Sequence, residues 1–261
     1  MKKKEQRINL ILEMIREQPS LTPKELARVL DVSEMTIRRD LSYLKSSGIL
    51  SQSLGMFFID SKGKSVSAVA PAIYDFRQEL GRNTEAKERI ARKAAELIIP
   101  RDIIILDSST TVSMMLPFLS PNMSLTVMSN NDYILSRLPK DGSINLIAIG
   151  GTYNCQLQMY ESNEGIAEIK SHRATKYFFS SSGVHEHLGL TCSYAFEVMT
   201  KRASIGSSVM KIFLSDSSKL GVIKNAYFAK LTECDVFITY SGITPEWKSV
   251  IEGLGITLYI V

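Results

Sequence analysis

Seven short apolar runs alternate with helical patterns in the second part of the chain, and this alternation restricts the fold more than any other feature. Each run has five to seven residues rich in Ile, Val, Leu and Phe, as in strands that are buried on both faces. Strands that alternate with helices form a mainly parallel sheet with helices on both sides. The sequence therefore predicts an open, Rossmann-like α/β domain over residues 75–261. The predicted strands are 102–106, 125–129, 144–150, 176–181, 211–216, 235–239 and 256–261, and the predicted helices are 85–99, 110–119, 132–138, 161–170, 194–205 and 245–252.

The residues before this domain have the pattern of short helices. Apolar residues at helical spacing predict a first helix over about 4–17, which ends before Pro19. Thr22 and Glu25 then form a capping box, with Pro23 at the first helical position. These residues predict a second, short helix.

A third helix follows after a turn of about three residues, and the pair forms a helix-turn-helix. Ser33 is its predicted N-cap, and Gly48 stops it just after residue 46. The next stretch, ILSQSLGMFFID, has two extended runs around Leu54-Gly55, the pattern of a small hairpin or wing. The sequence thus predicts a winged helix-turn-helix domain over 1–60, and a linker over 61–74 where Ser, Gly, Lys and Ala mix without a period.

The excess of positive charge lies at the amino-terminal end of the chain. Residues 1–62 hold eleven Lys and Arg against eight Asp and Glu, whereas the net charge of the whole chain is only +4. A small basic module joined to a nearly neutral body is suited to contact with phosphate groups.

Cysteine usage and hydropathy indicate the cellular compartment. Three widely spaced cysteines without a Cys-x-x-Cys pair argue against a disulfide framework or a structural zinc site. The first residues contain no apolar run of signal-peptide length, and no stretch approaches roughly 18 uninterrupted apolar residues. We therefore expect a cytoplasmic protein without a membrane segment.

The third predicted helix presents arginines on the face opposite its apolar stripe. With a turn of about 100° per residue, Ile37, Leu41 and Leu44 form the buried stripe. Arg39 then lies on the opposite side and Arg38 flanks it. Solvated helices usually alternate charge signs, yet the cations of this outward face have no acidic residue among them.

Two interpretations of this face remain open. It is either a solvated surface, on which Glu34 pairs with Arg38 one turn away, or a recognition helix that lies in the major groove of DNA. In the groove, arginine bonds guanine edges or phosphates, and the start of the second helix contacts the DNA backbone. The candidate DNA-binding residues are Thr22, Lys24, Ser33, Met35, Thr36, Arg38, Arg39, Ser42 and Lys45.

Residues 7–50 resemble the DNA-binding region of the DeoR family of bacterial transcription regulators. The resemblance is carried by Val32-Ser33, by Thr36 through Leu41, by Leu44 and by Gly48. Residues 51–55 depart from the family pattern, which has a basic residue and a Gly-Gly pair in the wing. The resemblance implies binding to a double-stranded DNA operator. Because paired half-sites need paired heads, it also implies a homo-oligomer, a dimer or a tetramer.

Polar or glycine-rich loops follow five of the predicted strands. The loop from Asp107 to Thr111 opens a helix, where amide donors and the helix dipole attract an anion; alternatively, its Ser and Thr only cap that helix. Ligands of open α/β sheets collect at the carboxyl ends of the strands, so these loops predict one crevice. Lys219 would then balance a phosphate, and Asp107 or Asp216 would accept from sugar hydroxyls. The candidate effector-binding residues are Asp107, Ser108, Ser109, Thr110, Thr111, Asn130, Gly150, Gly151, Ser182, Gly183, Asp216 and Lys219.

The second part of the chain, from Ala70 on, is similar to the sensor domain of the same family. That domain resembles ribose-5-phosphate isomerase in fold and typically binds phosphorylated sugars. The similarity implies a phosphorylated sugar as the effector, although Ser109 stands where the family usually has glycine. It is carried by Phe76-Arg77, Lys87, Ile90-Ala91, Asp107 to Thr111, Asn130, Gly150-Gly151, Glu197 and Ser217 to Gly221.

These features predict a transcriptional regulator, a repressor of sugar-metabolism genes that responds to a phosphorylated sugar, and not an enzyme. One alternative is an isomerase-like enzyme with an accessory DNA-binding head, for which Asp107, Asp216 and Glu197 would be candidate bases. Another is a scaffold with an empty pocket. We expect neither a cofactor nor a metal, because His185 and His187 have no obvious third ligand.

Overall fold

A computed structural model describes residues 2–17, 21–46, 50–53, 56–59 and 75–261. The chain divides into two compact units, Met1–Ala72 and Ile73–Val261. The predicted linker 61–74, the predicted wing turn Leu54-Gly55 and the helix stop Gly48 lie outside the described residues. No helix of the described part is both long enough and apolar enough to cross a membrane.

The first unit contains three helices followed by two paired strands. The turn before the third helix has Asp31 in the left-handed conformation, with φ of 50°. The two strands are antiparallel, with Leu50 opposite Ile59. The three predicted helices and the two extended runs are therefore confirmed. The elements are α1 Lys2–Glu17, α2 Pro23–Val29, α3 Glu34–Ser46, β1 Leu50–Ser53 and β2 Met56–Ile59.

The helices of this unit enclose a small apolar core and one buried ion pair. Ile37 and Leu41 of α3 pack with Ile11 of α1, and all three side chains are at most 3% exposed. Asp40, on the same side of α3, is buried and accepts a hydrogen bond from Arg7 of α1 at 2.6 Å. This pair fixes the rotation of α3, because a buried carboxylate without its partner is costly.

The second unit contains seven helices and three groups of paired strands, all within residues 75–261. Its helices are α4 Phe76–Leu80, α5 Thr84–Ala95, α6 Thr110–Ser113, α7 Asp132–Arg137, α8 Asn163–Ser171, α9 Glu197–Gly206 and α10 Pro245–Gly253. Its strands are β3 Ile103–Leu106, β4 Thr126–Ser129, β5 Asn145–Ala148, β6 Thr152–Asn154, β7 Met159–Glu161, β8 Ala174–Phe179, β9 Gly183–His185, β10 Gly189–Cys192, β11 Ser208–Leu214, β12 Ala226–Ala229, β13 Val236–Thr239 and β14 Thr257–Ile260.

Seven of these strands form one parallel sheet in the order β14-β13-β11-β8-β3-β4-β5. All seven are strands that the sequence predicts, and their parallel pairing confirms the predicted fold class. The chain moves outward from β3 through β4 to β5, and then returns to the other side of β3 with β8. This reversal places the loops after β3 and β8 next to each other, at the switch point where open α/β sheets bind ligands.

Side chains of the central strands alternate between two apolar layers. Ile104 and Phe178 face the layer that contains α5, α6 and α7, whereas Ile105 and Phe179 face the layer that contains α8, α9 and α10. Burial on both faces explains why the strands are apolar along their whole length.

Several elements differ from the prediction. The helix predicted over 110–119 ends at Ser113, and a 3-10 turn at Leu116–Phe118 follows, since Pro117 cannot donate to a helical ladder. Helix α4, the hairpin β6–β7 and the small antiparallel sheet β12-β10-β9 are not among the predicted elements. These strands have three or four residues each and lack a long apolar run.

We expect Gly151→Ala to lower the free energy of unfolding by about 1–3 kcal/mol, the usual cost of a strained backbone. Gly151 has φ of 143°, and a Cβ atom there would overlap the carbonyl group of Glu161 in the hairpin β6–β7. Gly150→Ala is the matched control, because a Cβ at Gly150 meets no atom within 4 Å. Chemical denaturation would measure both; equal stability of the two variants would contradict the expectation.

Candidate functional site

The outward face of α3 has the residues that the helical angles predict. Arg39 and Ser42 are exposed, and Met35 is 71% exposed. Arg39 makes no hydrogen bond or ion pair with any other described residue. Its guanidinium group is therefore available to an external partner.

Other polar groups of α3 are engaged within the helix. Glu34 Oε1 accepts from Nε and Nη2 of Arg38 at 2.9 and 2.8 Å, so the pair that the sequence allows is formed. The Ser33 hydroxyl caps the first turn, accepting from the amide of Thr36 at 3.2 Å and lying 2.8 Å from the Thr36 hydroxyl. The side chain of Lys45 lies outside the described part of the chain.

The start of α2 is held by the predicted capping box. Thr22 Oγ1 accepts from the amide of Glu25 at 3.3 Å, while the Glu25 carboxylate accepts from the amide and the hydroxyl of Thr22, both at 2.7 Å. Lys24 is exposed beside them. The box explains why α2 begins at residue 23 and why the hydroxyl of Thr22 is already in use.

In the second unit, a narrow crevice lies at the switch point between β3 and β8. The loops after these two strands form its floor, and side chains from α9 and from the loop after β11 close its sides. The lining residues are Ser108, Ser109, Ser180, Ser181, Ser182, Cys192, Glu197, Lys201 and Lys219. We call this the switch-point crevice.

An ion pair joins the loop after β3 to α9 at the crevice. Nζ of Lys201 lies 2.5 Å from Asp107, and both side chains are 4% exposed. Asp107 also accepts from the Tyr177 hydroxyl at 3.2 Å and from the Ser180 amide at 3.3 Å. Since these donors occupy both of its oxygens, Asp107 fixes the loops after β3 and β8 to each other.

Glu197, one helical turn before Lys201, offers a second buried carboxylate to the crevice. It is 6% exposed, and its Oε1 accepts from the amide of Tyr194 at 3.2 Å. Burial raises the pKa of Glu197 to about 7; Lys201 opposes that effect and Asp107 adds to it. Among the described residues that line the crevice, Glu197 therefore has the only carboxyl group, and its pKa lies near neutral pH.

Lys219 brings a cation to the crevice from the loop after β11. Its ammonium group donates to Ser180 Oγ at 3.4 Å, and within the described residues it forms no salt bridge. Burial lowers the pKa of Lys219, although Asp216 and Glu79 oppose this effect. A cation in such surroundings is stabilised by an incoming anion.

A second lysine lies close to Lys219, outside the crevice lining. Lys87 of α5 is 2% exposed and donates to the carbonyl group of Glu79 at the end of α4. Burial lowers the pKa of Lys87 to about 8, and the neighbouring Lys219 adds to that effect. Two lysines therefore share the positive potential behind the loop after β11.

The serine and threonine residues after β3 divide into two groups. Ser108 and Ser109 line the crevice, but Ser109 Oγ also caps α6, accepting from the amides of Thr111 and Val112 at 3.2 and 3.3 Å. Thr110 and Thr111 lie inside α6, are buried and do not line the crevice. Ser109 is thus the N-cap of α6, as the alternative interpretation of this loop allowed.

Several other predicted effector residues are not among those that line the crevice. Asn130 donates to the carbonyl group of Tyr160 at 2.9 Å, and Gly150 and Gly151 line a separate groove beside α7. Gly183 lies in β9, where a Cβ would come within 2.5 Å of the Val222 oxygen. Asp216 caps the 3-10 turn that carries Lys219 and accepts from Asn83 at 3.3 Å.

Five lining residues, Ser180, Ser181, Cys192, Glu197 and Lys201, were absent from the predicted effector set, although Glu197 was a candidate base of the alternative enzyme. Ser180 and Ser181 directly precede the predicted residue Ser182 in the polar loop after β8. Lys201 was detectable in principle, because it lies one turn after Glu197 on a helix that follows a strand. Its burial was not detectable, since Met199 of the same helix is 56% exposed and an apolar-stripe rule would bury Met199 instead.

His185, one of the two histidines for which no metal is expected, has a structural role. His185 Nδ1 lies 3.2 Å from the amides of both His187 and Leu188 and closes the turn between β9 and β10.

We expect the stability of the protein to depend on pH through Glu197. Its pKa in the folded state is about 7 against an ordinary value of 4.5. The folded state therefore binds the proton more tightly, and this contribution is complete below about pH 4.5 and lost as the pH rises through about 7. Relative to Glu197→Gln, the wild type should lose up to about 3 kcal/mol of unfolding free energy between pH 5 and pH 8.

Denaturant unfolding of both proteins at several pH values measures this difference. Glu186→Gln, at an exposed position in the β9–β10 turn, is the control and should follow the wild type. Parallel pH profiles for the wild type and Glu197→Gln would contradict the assignment.

Relatives with similar sequences are named as regulators of transcription. The chain is 29% identical over 255 residues to the HTH-type transcriptional regulator GolR of Listeria innocua, covering 98% of both proteins. It is 29% identical to the HTH-type transcriptional repressor GlcR of Bacillus subtilis, covering 90% of this chain and 88% of GlcR. It is also 29% identical to a lactose phosphotransferase system repressor of Staphylococcus epidermidis, covering 89% of this chain and 90% of the repressor.

Solved structures give partial likenesses. Ribose 5-phosphate isomerase A of Neisseria gonorrhoeae is 13% identical with a TM-score of 0.38, and the match covers 53% of each chain. The isomerase of Methanocaldococcus jannaschii is 14% identical with a TM-score of 0.39, and the match covers 53% of this chain and 55% of the isomerase.

Two family models match the two units of the chain. The model of the DeoR-like helix-turn-helix domain matches residues 7–62, and the model of the DeoR C-terminal sensor domain matches residues 82–241, more than half of the sequence. The chain belongs to the DeoR family of helix-turn-helix transcription regulators.

Proposed function

We propose that this protein is a sequence-specific repressor of sugar-metabolism genes, and that a phosphorylated sugar bound in the switch-point crevice controls its affinity for DNA. The observation that carries the proposal is Lys219, a partly buried cation that lines a serine-rich crevice and has no salt bridge within the described residues. Anionic ligands with hydroxyl groups fit this combination of donors.

The names of the relatives support the sugar-related part of the proposal. One is a repressor of a lactose phosphotransferase system, and another is named GlcR, an HTH-type transcriptional repressor. A sugar-related signal is therefore proposed for this chain as well.

The geometry of the crevice suggests how such an effector would bind. The hydroxyl of Ser181 is buried and has no hydrogen-bond partner among the described residues, so it can donate to a ligand oxygen. Lys219 would balance the phosphate charge. Because the oxygens of Asp107 are occupied by Lys201 and its neighbours, Glu197 is better placed than Asp107 to accept from sugar hydroxyls.

The first unit supplies the DNA-binding surface. We propose that α3 enters the major groove, with Arg39 at the bases, and that Lys24 at the start of α2 contacts phosphates. The paired Glu34 and Arg38 flank this surface, which lowers the cost of placing a carboxylate near DNA. Since two half-sites need two heads, the active species would be a dimer or a tetramer.

Coupling between the two sites is reciprocal by thermodynamic necessity. An effector that weakens operator binding by some factor is itself bound more weakly, by the same factor, when the operator is occupied. Measurement of either affinity with and without the other ligand therefore tests the regulatory part of the proposal.

We expect Arg39→Ala to weaken binding to the preferred operator by about 1–3 kcal/mol, because a bidentate contact with guanine is lost. Lys24→Ala should weaken binding to all duplexes alike, since a phosphate contact carries no sequence information. Fluorescence anisotropy with an operator selected from random duplexes and with an unrelated duplex separates the two effects. Full operator affinity of Arg39→Ala at physiological salt would exclude α3 as the reading element.

We expect Lys219→Met to abolish the effect of a phosphorylated sugar on operator binding and to leave operator binding itself intact. The variant removes the ammonium group while keeping most of the apolar stem. Anisotropy titrations with a panel of pentose and hexose phosphates measure the response.

Lys248→Met, at an exposed position of α10, is the matched control and should respond like the wild type. An unchanged response of Lys219→Met would remove Lys219 from the effector site. A loss of DNA binding by Lys219→Met would instead indicate misfolding.

A further inference from the structure

Met35 is an unusual residue for the exposed side of a helix that faces DNA. It is 71% exposed, the highest value for a large apolar side chain in the described part of the first unit. It lies in the first turn of α3, four residues or about one helical turn before Arg39, and therefore on the same face. Exposure of an apolar side chain there costs free energy unless a partner covers it.

The polar neighbours of Met35 on α3 already form hydrogen bonds within the helix, and they would have to break these bonds to contact a base. The hydroxyls of Ser33 and Thr36 lie 2.8 Å apart in the N-cap, and the Arg38 guanidinium is held by Glu34. Met35 and Arg39 are thus the two long side chains of the outward face that make no hydrogen bond or ion pair to another described residue.

We propose that Met35 and Arg39 read a short sequence together, Met35 by contact with the 5-methyl group of a thymine and Arg39 by hydrogen bonds to a guanine. This inference rests on the proposed DNA-binding function and adds which bases the two side chains recognise. In the major groove, the thymine methyl is the apolar group of the base edges, and guanine offers the acceptors N7 and O6 to arginine. A thioether side chain has no donor and only a weak acceptor, so its main means of discrimination is contact with this methyl group.

The spacing of the two residues sets the spacing of the two bases. Residues four apart are separated by about 6 Å along a helix axis, and successive bases of one strand rise by about 3.4 Å. The thymine and the guanine should therefore lie about two base steps apart or closer in each half-site.

Base analogues test this assignment on the full-length protein. A preferred duplex is first selected from a random pool, and each thymine is then replaced by deoxyuridine, which lacks only the methyl group. One such replacement should weaken wild-type binding about fourfold, the value of one buried methyl-sized group, and should have no effect on Met35→Ala. Replacement of the nearby guanine by 7-deazaguanine should weaken the wild type about fivefold or more and leave Arg39→Ala unchanged.

Two further variants control for packing and for methionine loss in general. Met35→Leu keeps an apolar side chain and should keep the deoxyuridine effect, whereas Met199→Ala removes an exposed methionine of α9 and should behave like the wild type throughout. Thermal unfolding checks that Met35→Ala remains folded, which is expected because alanine favours helices and the side chain is exposed.

The outcomes distinguish this inference from the function on which it rests. A pool that yields no preferred duplex overturns both. If a preferred duplex is found but every deoxyuridine replacement weakens Met35→Ala as much as the wild type, the methyl contact is overturned. The repressor function then still stands. A thymine that depends on Met35 but lies far from the guanine that depends on Arg39 overturns the shared reading.

Discussion

The ion pair between Asp107 and Lys201 is the contact on which the second unit depends. Its members come from the loop after β3 and from α9, 94 residues apart, and both are almost completely buried. Buried charges persist only when their partners satisfy them, and here a tyrosine hydroxyl and a backbone amide complete the set. The pair costs desolvation but fixes the position of α9 over the switch point. The serine loops and Glu197 are in place because this pair holds them there.

The same arrangement separates structural charges from those available to a ligand. Asp107 and Lys201 neutralise each other, and Asp40 of the first unit is likewise neutralised by Arg7. Lys219 and Arg39 are different, because neither forms an ion pair with a described residue. In each unit a buried ion pair fixes the packing of its elements. A cation without an ion pair to a described residue faces outward in the first unit and into the crevice in the second. Lys219 lies in the crevice proposed for the effector, and Arg39 lies on the face of α3 proposed for DNA.

The sequence predicted the central sheet well, because its strands are buried on both faces and contain continuous apolar runs such as DIIIL. It also predicted the outward face of α3, since local helical angles determine that face. It did not predict the small sheet of β9, β10 and β12, whose strands are short and depend on tertiary pairing. Of the effector candidates, Ser108, Ser109, Ser182 and Lys219 line the crevice, but Gly151 has a turn role that only the position of Glu161 reveals. The burial of Lys201 could not be predicted from the sequence, because α9 buries this polar residue and exposes the apolar Met199.

The long sequence distance across the switch point has a consequence for how this protein is studied. Asp107 and Ser180 are joined across 73 residues, so the crevice exists only when β3 and β8 are paired. A molecule that occupies it binds the folded chain and not the unfolded one, and mass action then shifts the folding equilibrium toward the native state. An increase in resistance to heat or to proteases therefore reports that the crevice is occupied. Such measurements can identify the effector without knowledge of the regulated genes.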